Sequence, residues 1–521
     1  MIGDGPAHQV GGRSLSMTIT ARRSIVEPTI LLCGFLVLCA IYAMAMRLHM
    51  LQVTPLWLDE TWSGMIATRP DWSSFWREAW LDCNPPLYYV FLTGWVSLFG
   101  DSNLAMRLPS FLFVLAAALL PLIWPPRTLD RAGIWTFAAL ILLWPSNLGL
   151  MVDARGYGLM LLLATGSCLA VAHMLERLTL NRAMLWVGLG TLMFLTHYYA
   201  AVLLVGQALV LLYRYGFQLA RRWPAGLLAI PGLVWFAYHM SRLSDYARPD
   251  AAWYEHTSLL SSLLNMTYVL GAHNPIALAA VTATFLAAIV HHRRRRSTIR
   301  ETPTRHDGAL LLTVLSAVIG LTLAILISLA QPSLTNRYLV PLVPTAMLGL
   351  TLLIKRTARP DYAALGLGLA FLLPTLNLDL MRGELGQRAM YGYEESSDFV
   401  AAAKPDRLLF LWDSSSAKIM DRASLEALGG YFQQREGLNI PVQPVVVDDK
   451  ADANRILRAA ATSQRPAIIW LYNVHVRAAA KDHPPTFAND PSWRCDHAPP
   501  RSGIGSIGCV RQAMPSRQQQ R

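Results

Sequence analysis

The chain has 521 residues, 54% hydrophobic and only 15% charged. Soluble domains average about 25% charged residues, so most of this chain answers to lipid, and a single soluble globule is excluded. The formal charge of +12 does not describe a nucleic-acid groove, because the basic residues sit in short clusters between apolar runs, such as Arg221-Arg222, the arginines at 293–296 and Lys355-Arg356; that is how cytoplasmic membrane loops are marked.

Residues 1–24 are polar, carry Arg13, Arg22 and Arg23, and read as a cytoplasmic N-terminal tail. The apolar run at 29–46 is longer than the ~7–15 residues of a signal-peptide core and adequate for a span, so it is taken as a retained first span. Residues 25–378 are then the transmembrane domain, with a first outer loop at 47–103. The apolar run 87–99 is shorter than the ~20 residues a span needs, and is expected to lie along the interface. Counting it as a span would place the basic loops outside, against the positive-inside bias. The parity argument therefore predicts about eleven spans, with outer loops at 47–103, 145–155, 197–199, 241–274 and 331–337. The spans at 183–196 and 200–214 are short, so the turn at His197 should lie below the membrane surface, where irregular backbone survives only against protein or a wet cavity.

From about residue 379 the composition becomes that of a small soluble domain. Apolar runs at 408–412, 444–447 and 467–472 read as strands, and helical patterns at 422–435 and 451–462 alternate with them, which predicts a modest α/β domain over 379–511. The tail 512–521 is polar and expected to be disordered. Cys33, Cys39 and Cys168 fall in apolar spans and read as packing residues; Cys83 lies in the first outer loop. Cys495 and Cys509 fall in the segment placed outside the cytoplasm, where a disulfide between them can form.

The stretch 57–86 is the chemically dense one: Trp57-Leu58-Asp59-Glu60-Thr61-Trp62, then Asp82-Cys83-Asn84-Pro85-Pro86. Trp and Tyr prefer the membrane boundary, and a carboxylate partly desolvated between them is tuned toward general-base work; the bland alternative is two solvated loop acids. Asp153 and Arg155 form a second charged pair at an outer span end, where they either cap a helix or act on a substrate. Arg337 is an outer-side cation that anchors to headgroups or holds a phosphate. His197 reads as a satisfied polar residue or, being submerged, a functional one. There is no Walker-type loop, GxGxxG or Asp-x-Asp pair, so a reaction here must draw its activated substrate from the membrane.

These pieces occur in a recognisable order: Asp59-Glu60, Asp82-x-Asn84-Pro85-Pro86-Leu87-Tyr88-Tyr89, Trp95-x-x-Leu98-Phe99-Gly100-Asp101, Arg107-Leu108-Pro109-Ser110, Asp153-Ala154-Arg155-Gly156-Tyr157, Thr196-His197-Tyr198 and Arg337-Tyr338-Leu339. Over residues 25–380 the chain resembles bacterial relatives of the dolichyl-phosphate-mannose protein mannosyltransferases, glycosyltransferases of the C-type membrane fold, to which the lipid A aminoarabinose transferase is a cousin. It has Asn84 where that family often has His, and Asp153 where it often has Glu. The resemblance implies a polytopic α-helical protein of the bacterial inner membrane, its site facing the periplasm, that moves a sugar from a polyprenyl-phosphate donor to a lipid, glycan or protein acceptor. In that reading Asp59 is the base, with Glu60 and Asp153 orienting it or the acceptor. Arg337 and Arg155 hold the donor phosphate, and Asp82, His197, Tyr198, Tyr157 and Tyr338 contact substrate. No cofactor is required; a divalent metal is compatible with distant members of the fold, but no ligand set demands one. The competing expectations are a transporter or flippase, which the long first outer loop and the lack of repeat symmetry oppose, and a non-catalytic scaffold.

Overall fold

The computed structural model describes residues 20–50, 52, 54, 56–150, 152–246, 258–272, 274–296, 305–331, 334–376, 394–413, 421–447, 465–473, 492–496 and 504–511. The expected helix at 451–462 and the tails 1–19 and 512–521 lie outside the described residues.

Among the described residues, seven helices are long and apolar enough to cross a membrane. The windows are Pro28–Met50, Asn103–Ile123, Tyr157–Glu176, Ala200–Gln218, Pro275–Arg294, Gly308–Ala330 and Asn336–Lys355. The other four expected spans are also helices, but shorter: Arg131–Leu143, Leu180–Phe194, Ile230–Tyr246 and Pro360–Leu372. The first helix begins at Thr20, ahead of the expected boundary, and the expected outer loop at 241–274 contains a further helix, Leu259–Val269. Tyr157–Glu176 runs through the middle, with 94% of its apolar window buried, and so carries no lipid-facing stripe. At ~1.5 Å per residue its length matches a ~30 Å hydrocarbon core. Two of the basic loops meet at one end of the bundle, where Lys355 Nζ pairs with Asp130 at 3.1 Å. The expected outer loops gather at the other.

That second end is built by the expected first outer loop, which folds into three helices: α1 (Leu58–Ala67), α2 (Trp72–Leu81) and α3 (Leu87–Phe99). Asp71 caps α2 by accepting from the Ser74 N–H at 2.9 Å, satisfying a donor that a helix start leaves orphaned. α2 turns Phe75, Glu78 and Ala79 inward and leaves Trp72 and Trp76 exposed. α3 is the run expected to lie along the interface, and it is a separate helix of 13 residues.

The C-terminal domain is a five-stranded sheet, order β2-β1-β3-β5-β4: β1 (Arg407–Asp413), β2 (Val442–Val447), β3 (Pro466–Asn473), β4 (Trp493–Cys495) and β5 (Ile504–Arg511). The first three are parallel, and β5 joins antiparallel to β3 and β4. The sequence predicts β1 to β3; β4 and β5 are additional. Between Arg407 and Asp413 at its ends, β1 is apolar at every position because it is covered on both faces. Leu408, Phe410 and Trp412 face one core, Leu409 and Leu411 the other, as the two-residue strand period requires. Cys495 and Cys509 sit opposite each other across β4 and β5 and are disulfide-bonded.

One hydrophobic core joins this domain to the first outer loop: Phe410, Trp412, Leu428, Tyr431 and Phe432 pack with Met65, Ile66, Phe75, Tyr89 and Met106. Tyr431, on α4 (Arg422–Arg435), rests on Gly64, where a Cβ would fall 2.1 Å from its hydroxyl. Polar contacts frame the seam. Arg77 Nη2 donates to both Asp421 oxygens at 2.8 and 2.9 Å, the Ser424 hydroxyl donates to Glu78 at 3.2 Å, and Arg435 donates to the Asp101 carbonyl at 2.7 Å.

Burial pushes the Glu78 carboxyl above its ordinary 4.5, with Arg77 and Ser424 opposing only in part. A raised carboxyl holds its proton more tightly folded than unfolded. Its contribution is therefore full below 4.5 and is lost as pH climbs through the raised value. For Asp421, burial pushes the carboxyl up but Ser424 and Arg77 outweigh it, and the net shift is downward. Glu78→Gln should flatten the decline in melting temperature of the full-length protein between pH 4.5 and neutrality, measured by thermal melts in detergent; an unchanged slope would show that Glu78 does not set it.

Candidate active site

Two adjacent carboxylates at the start of α1 have different surroundings. Glu60 is fully buried and gripped by a fully buried arginine from the second span: Arg107 Nε and Nη2 donate to its two oxygens at 2.9 and 2.6 Å. The same carboxylate accepts from the Trp57 N–H at 3.1 Å and the Ala154 N–H at 2.9 Å. Arg107 also donates to the Thr54 carbonyl at 2.9 Å. Glu60 thus ties the first loop, the second span and the segment at 153–156 together, and its hydrogen-bonding capacity is spent on protein.

Asp59 points the other way. Its carboxylate meets Arg337 Nη1 at 3.0 Å, at the first turn of a helix, where free N–H groups favour negative charge. Arg337 comes from the 3-10 turn Asn336–Leu342, which leads into the span Val343–Lys355. Its guanidinium lies 5.3 Å from the Trp57 ring and 5.6 Å from that of Tyr157, aromatic faces that hold a cation in place. The Arg337 side chain is 31% exposed and that of Asp59 12%, so an approaching anion meets the guanidinium first.

Arg155 sits behind this pair. It donates to the Asp59 carbonyl at 3.2 Å, the Tyr89 hydroxyl at 3.1 Å and the Ser63 hydroxyl at 3.4 Å. Tyr89 in turn donates to Asp82, which also accepts from the Cys83 N–H at 2.8 Å. Asp82 therefore supports Arg155 through Tyr89. The Asp153 carbonyl accepts from the Ser110 hydroxyl at 2.6 Å, and the residue is buried. His197 lies against Tyr338, with ring centres 4.5 Å apart, and 5.9 Å from Tyr157. The turn that carries it is sewn to the Pro85-Pro86 motif, since the Leu87 N–H donates to the Leu195 carbonyl at 3.0 Å. Gly156 makes the approach possible: a Cβ there would lie 3.0 Å from Thr196 and 3.2 Å from Tyr88.

Asp59, Arg155, Tyr157, His197, Arg337 and Tyr338 thus converge at one end of the bundle, with Glu60, Asp82 and Asp153 beneath them. Tyr198 does not join. Its hydroxyl lies 2.6 Å from His239 Nδ1 and accepts from Trp235 at 3.0 Å. The sequence motifs contain Arg107, Ser110 and Tyr89 but give them no role; a cation inside an apolar span is the signal that marks Arg107. Among the described residues, no three His, Cys, Asp or Glu side chains gather as a metal site does.

Two solved structures of ArnT from Cupriavidus metallidurans share this architecture. The apo-state structure superposes with a TM-score of 0.52 at 12% identity, covering 92% of this chain and 98% of that one. The structure bound to undecaprenyl phosphate gives 0.53 at the same identity and coverage. At this identity the likeness carries the fold: a polytopic α-helical membrane protein of the glycosyltransferase C-type architecture with an appended sheet domain. No protein-family model matches the chain, and no curated protein does.

Removing one partner of a buried ion pair strands the other charge, at a cost of about 3–5 kcal/mol. Arg107→Met should therefore lower the yield of folded protein and its melting temperature sharply, whereas Asp59→Asn should leave both near wild type. Size-exclusion profiles and melts of the two variants check this, and equal losses would remove the distinction drawn between the two carboxylates.

Proposed function

We propose that this protein transfers a sugar from a polyprenyl-phosphate donor to a lipid, glycan or protein acceptor at the outer face of a bacterial inner membrane. The observation that carries the reading is the Asp59–Arg337 pair: a base candidate and a phosphate-binding candidate, from distant parts of the sequence, brought together on a fold shared with a protein whose structure holds undecaprenyl phosphate.

At rest the two groups neutralise each other. A donor phosphate takes over the exposed Arg337, and Asp59 is released toward the acceptor. Asp59 removes the acceptor hydroxyl's proton, and the oxygen attacks the anomeric carbon. The bond from that carbon to the phosphate oxygen breaks, and the lipid phosphate departs as an anion stabilised by Arg337, with Arg155 behind it. No acid is needed for this leaving group. Asp82, Tyr89 and Glu60 act through the groups they hold.

The outward orientation is supported by the basic loops at the opposite end and by the Cys495–Cys509 disulfide, a bond of oxidising compartments. In intact cells these two cysteines should resist maleimide until a reductant is added, read by peptide mass; labelling without reductant would put the domain on the reducing side.

Transfer is tested with the full-length protein in membranes, using a radiolabelled polyprenyl-phosphate sugar. Asp59→Asn should cut transfer at least ~100-fold at unchanged folded level, and Arg337→Gln should be similarly impaired. Wild-type rates in both variants would overturn the mechanism, and movement of the label across the membrane without any glycosidic product would identify a transporter instead.

A further inference from the structure

Tyr198 belongs to the motif at 196–198 yet stands apart from the converging site, and its own contacts give it a different task. Its hydroxyl lies 2.6 Å from Nδ1 of His239, on the helix Ile230–Tyr246. His239 Nε2 lies 2.8 Å from the Trp80 carbonyl, which can only accept. The ring proton is therefore on Nε2, and Nδ1 keeps its lone pair. The Tyr198 hydroxyl then donates to Nδ1 while accepting from Trp235 Nε1 at 3.0 Å. A single tautomer thus satisfies both nitrogens of a fully buried ring. Farther along the same helix, Arg242 Nε donates to the Leu81 carbonyl at 3.1 Å. Trp80 and Leu81 close α2, and the last turn of a helix leaves carbonyls without partners. His239 joins two stretches far apart in sequence, the end of α2 and the turn that carries Tyr198.

Both stretches lead to an arginine of the site. Asp82, directly after α2, accepts from Tyr89, whose hydroxyl accepts from Arg155 at 3.1 Å. In the turn, the two neighbours of Tyr198 both lie against Tyr338. Ring centres are 4.5 Å apart for His197 and 5.1 Å apart for Tyr199. Tyr338 directly follows Arg337 in the chain. A shift of either stretch is therefore carried to a guanidinium through the side chains packed between them.

We propose that His239 is a positioning residue for the transfer step, holding Arg155 and Arg337 in mutual register through the end of α2 and the Tyr198 turn. The inference rests on the glycosyl-transfer reading and deepens it. The donor phosphodiester gains negative charge as it departs as a phosphate monoester. Misplaced guanidinium groups consequently cost the transition state more than the bound donor. Loss of the clamp is read in kcat and not in KM.

The test uses the full-length protein in native membranes with a radiolabelled polyprenyl-phosphate sugar, and rates are taken per folded molecule. Tyr198→Phe removes the hydroxyl. His239→Gln keeps an N–H near the Trp80 carbonyl but places no acceptor at the position of Nδ1. Each should lower kcat roughly tenfold, with the donor KM within about twofold of wild type. The double variant should fall no further, because both changes break the same bond. His239→Phe severs both links and should fall below either single variant. Additive losses with a raised KM would make Tyr198 a substrate contact and overturn the clamp. Wild-type kcat per folded molecule, with only the melting temperature lowered, would reduce His239 to a packing residue and overturn it too. If the His239 variants do not fold, Tyr198→Phe decides: an unchanged kcat or a raised KM overturns the proposal. Absence of any transfer by folded wild type would instead overturn the transfer reading itself.

Discussion

The arrangement at the site end of this bundle depends on the buried pair between Glu60 and Arg107. Two fully desolvated charges are tolerated because each is saturated: the carboxylate takes the guanidinium and two backbone N–H groups, and the guanidinium also reaches the Thr54 carbonyl. Such a pair adds little net stability over an apolar substitute but cannot be broken cheaply from one side. It fixes three segments at once, and so sets where α1 begins. Asp59, one residue earlier, is consequently presented on the face that Arg337 approaches.

The outer shell of the site is firm for a related reason. The C-terminal domain shares a core with the loop that carries Asp59, and α4 bears directly on Gly64, within the same helix as Asp59. Arg155 is braced by Tyr89 and Ser63, and Arg337 by two aromatic faces. What is left exposed is one guanidinium edge.

Much of this was legible in the sequence, and the limits have physical causes. Apolar run length and the positive-inside bias yield the helices and bring the outer loops to one end, because both reflect solvent preference, which is local. The partner of a charge is not local. Asp59 and Glu60 look equivalent in sequence, yet one is committed to Arg107 and the other to Arg337. Likewise His197 and Tyr198 are neighbours with different partners, the first lying against Tyr338 and the second bonded to His239 and Trp235. β4 is three residues long and β5 is interrupted by Gly505 and Gly508, so neither presents the unbroken apolar run by which β1 to β3 are read. Their pairing is fixed by β3 and by the disulfide.

The central claim is that Asp59 and a lipid phosphate compete for Arg337. Titrating undecaprenyl phosphate into the purified Asp59→Asn variant addresses it without any acceptor. If the carboxylate occupies the phosphate's place at rest, its neutralisation should tighten binding of the lipid relative to wild type, even though transfer is lost. Weaker or unchanged binding would contradict the exchange on which the account stands.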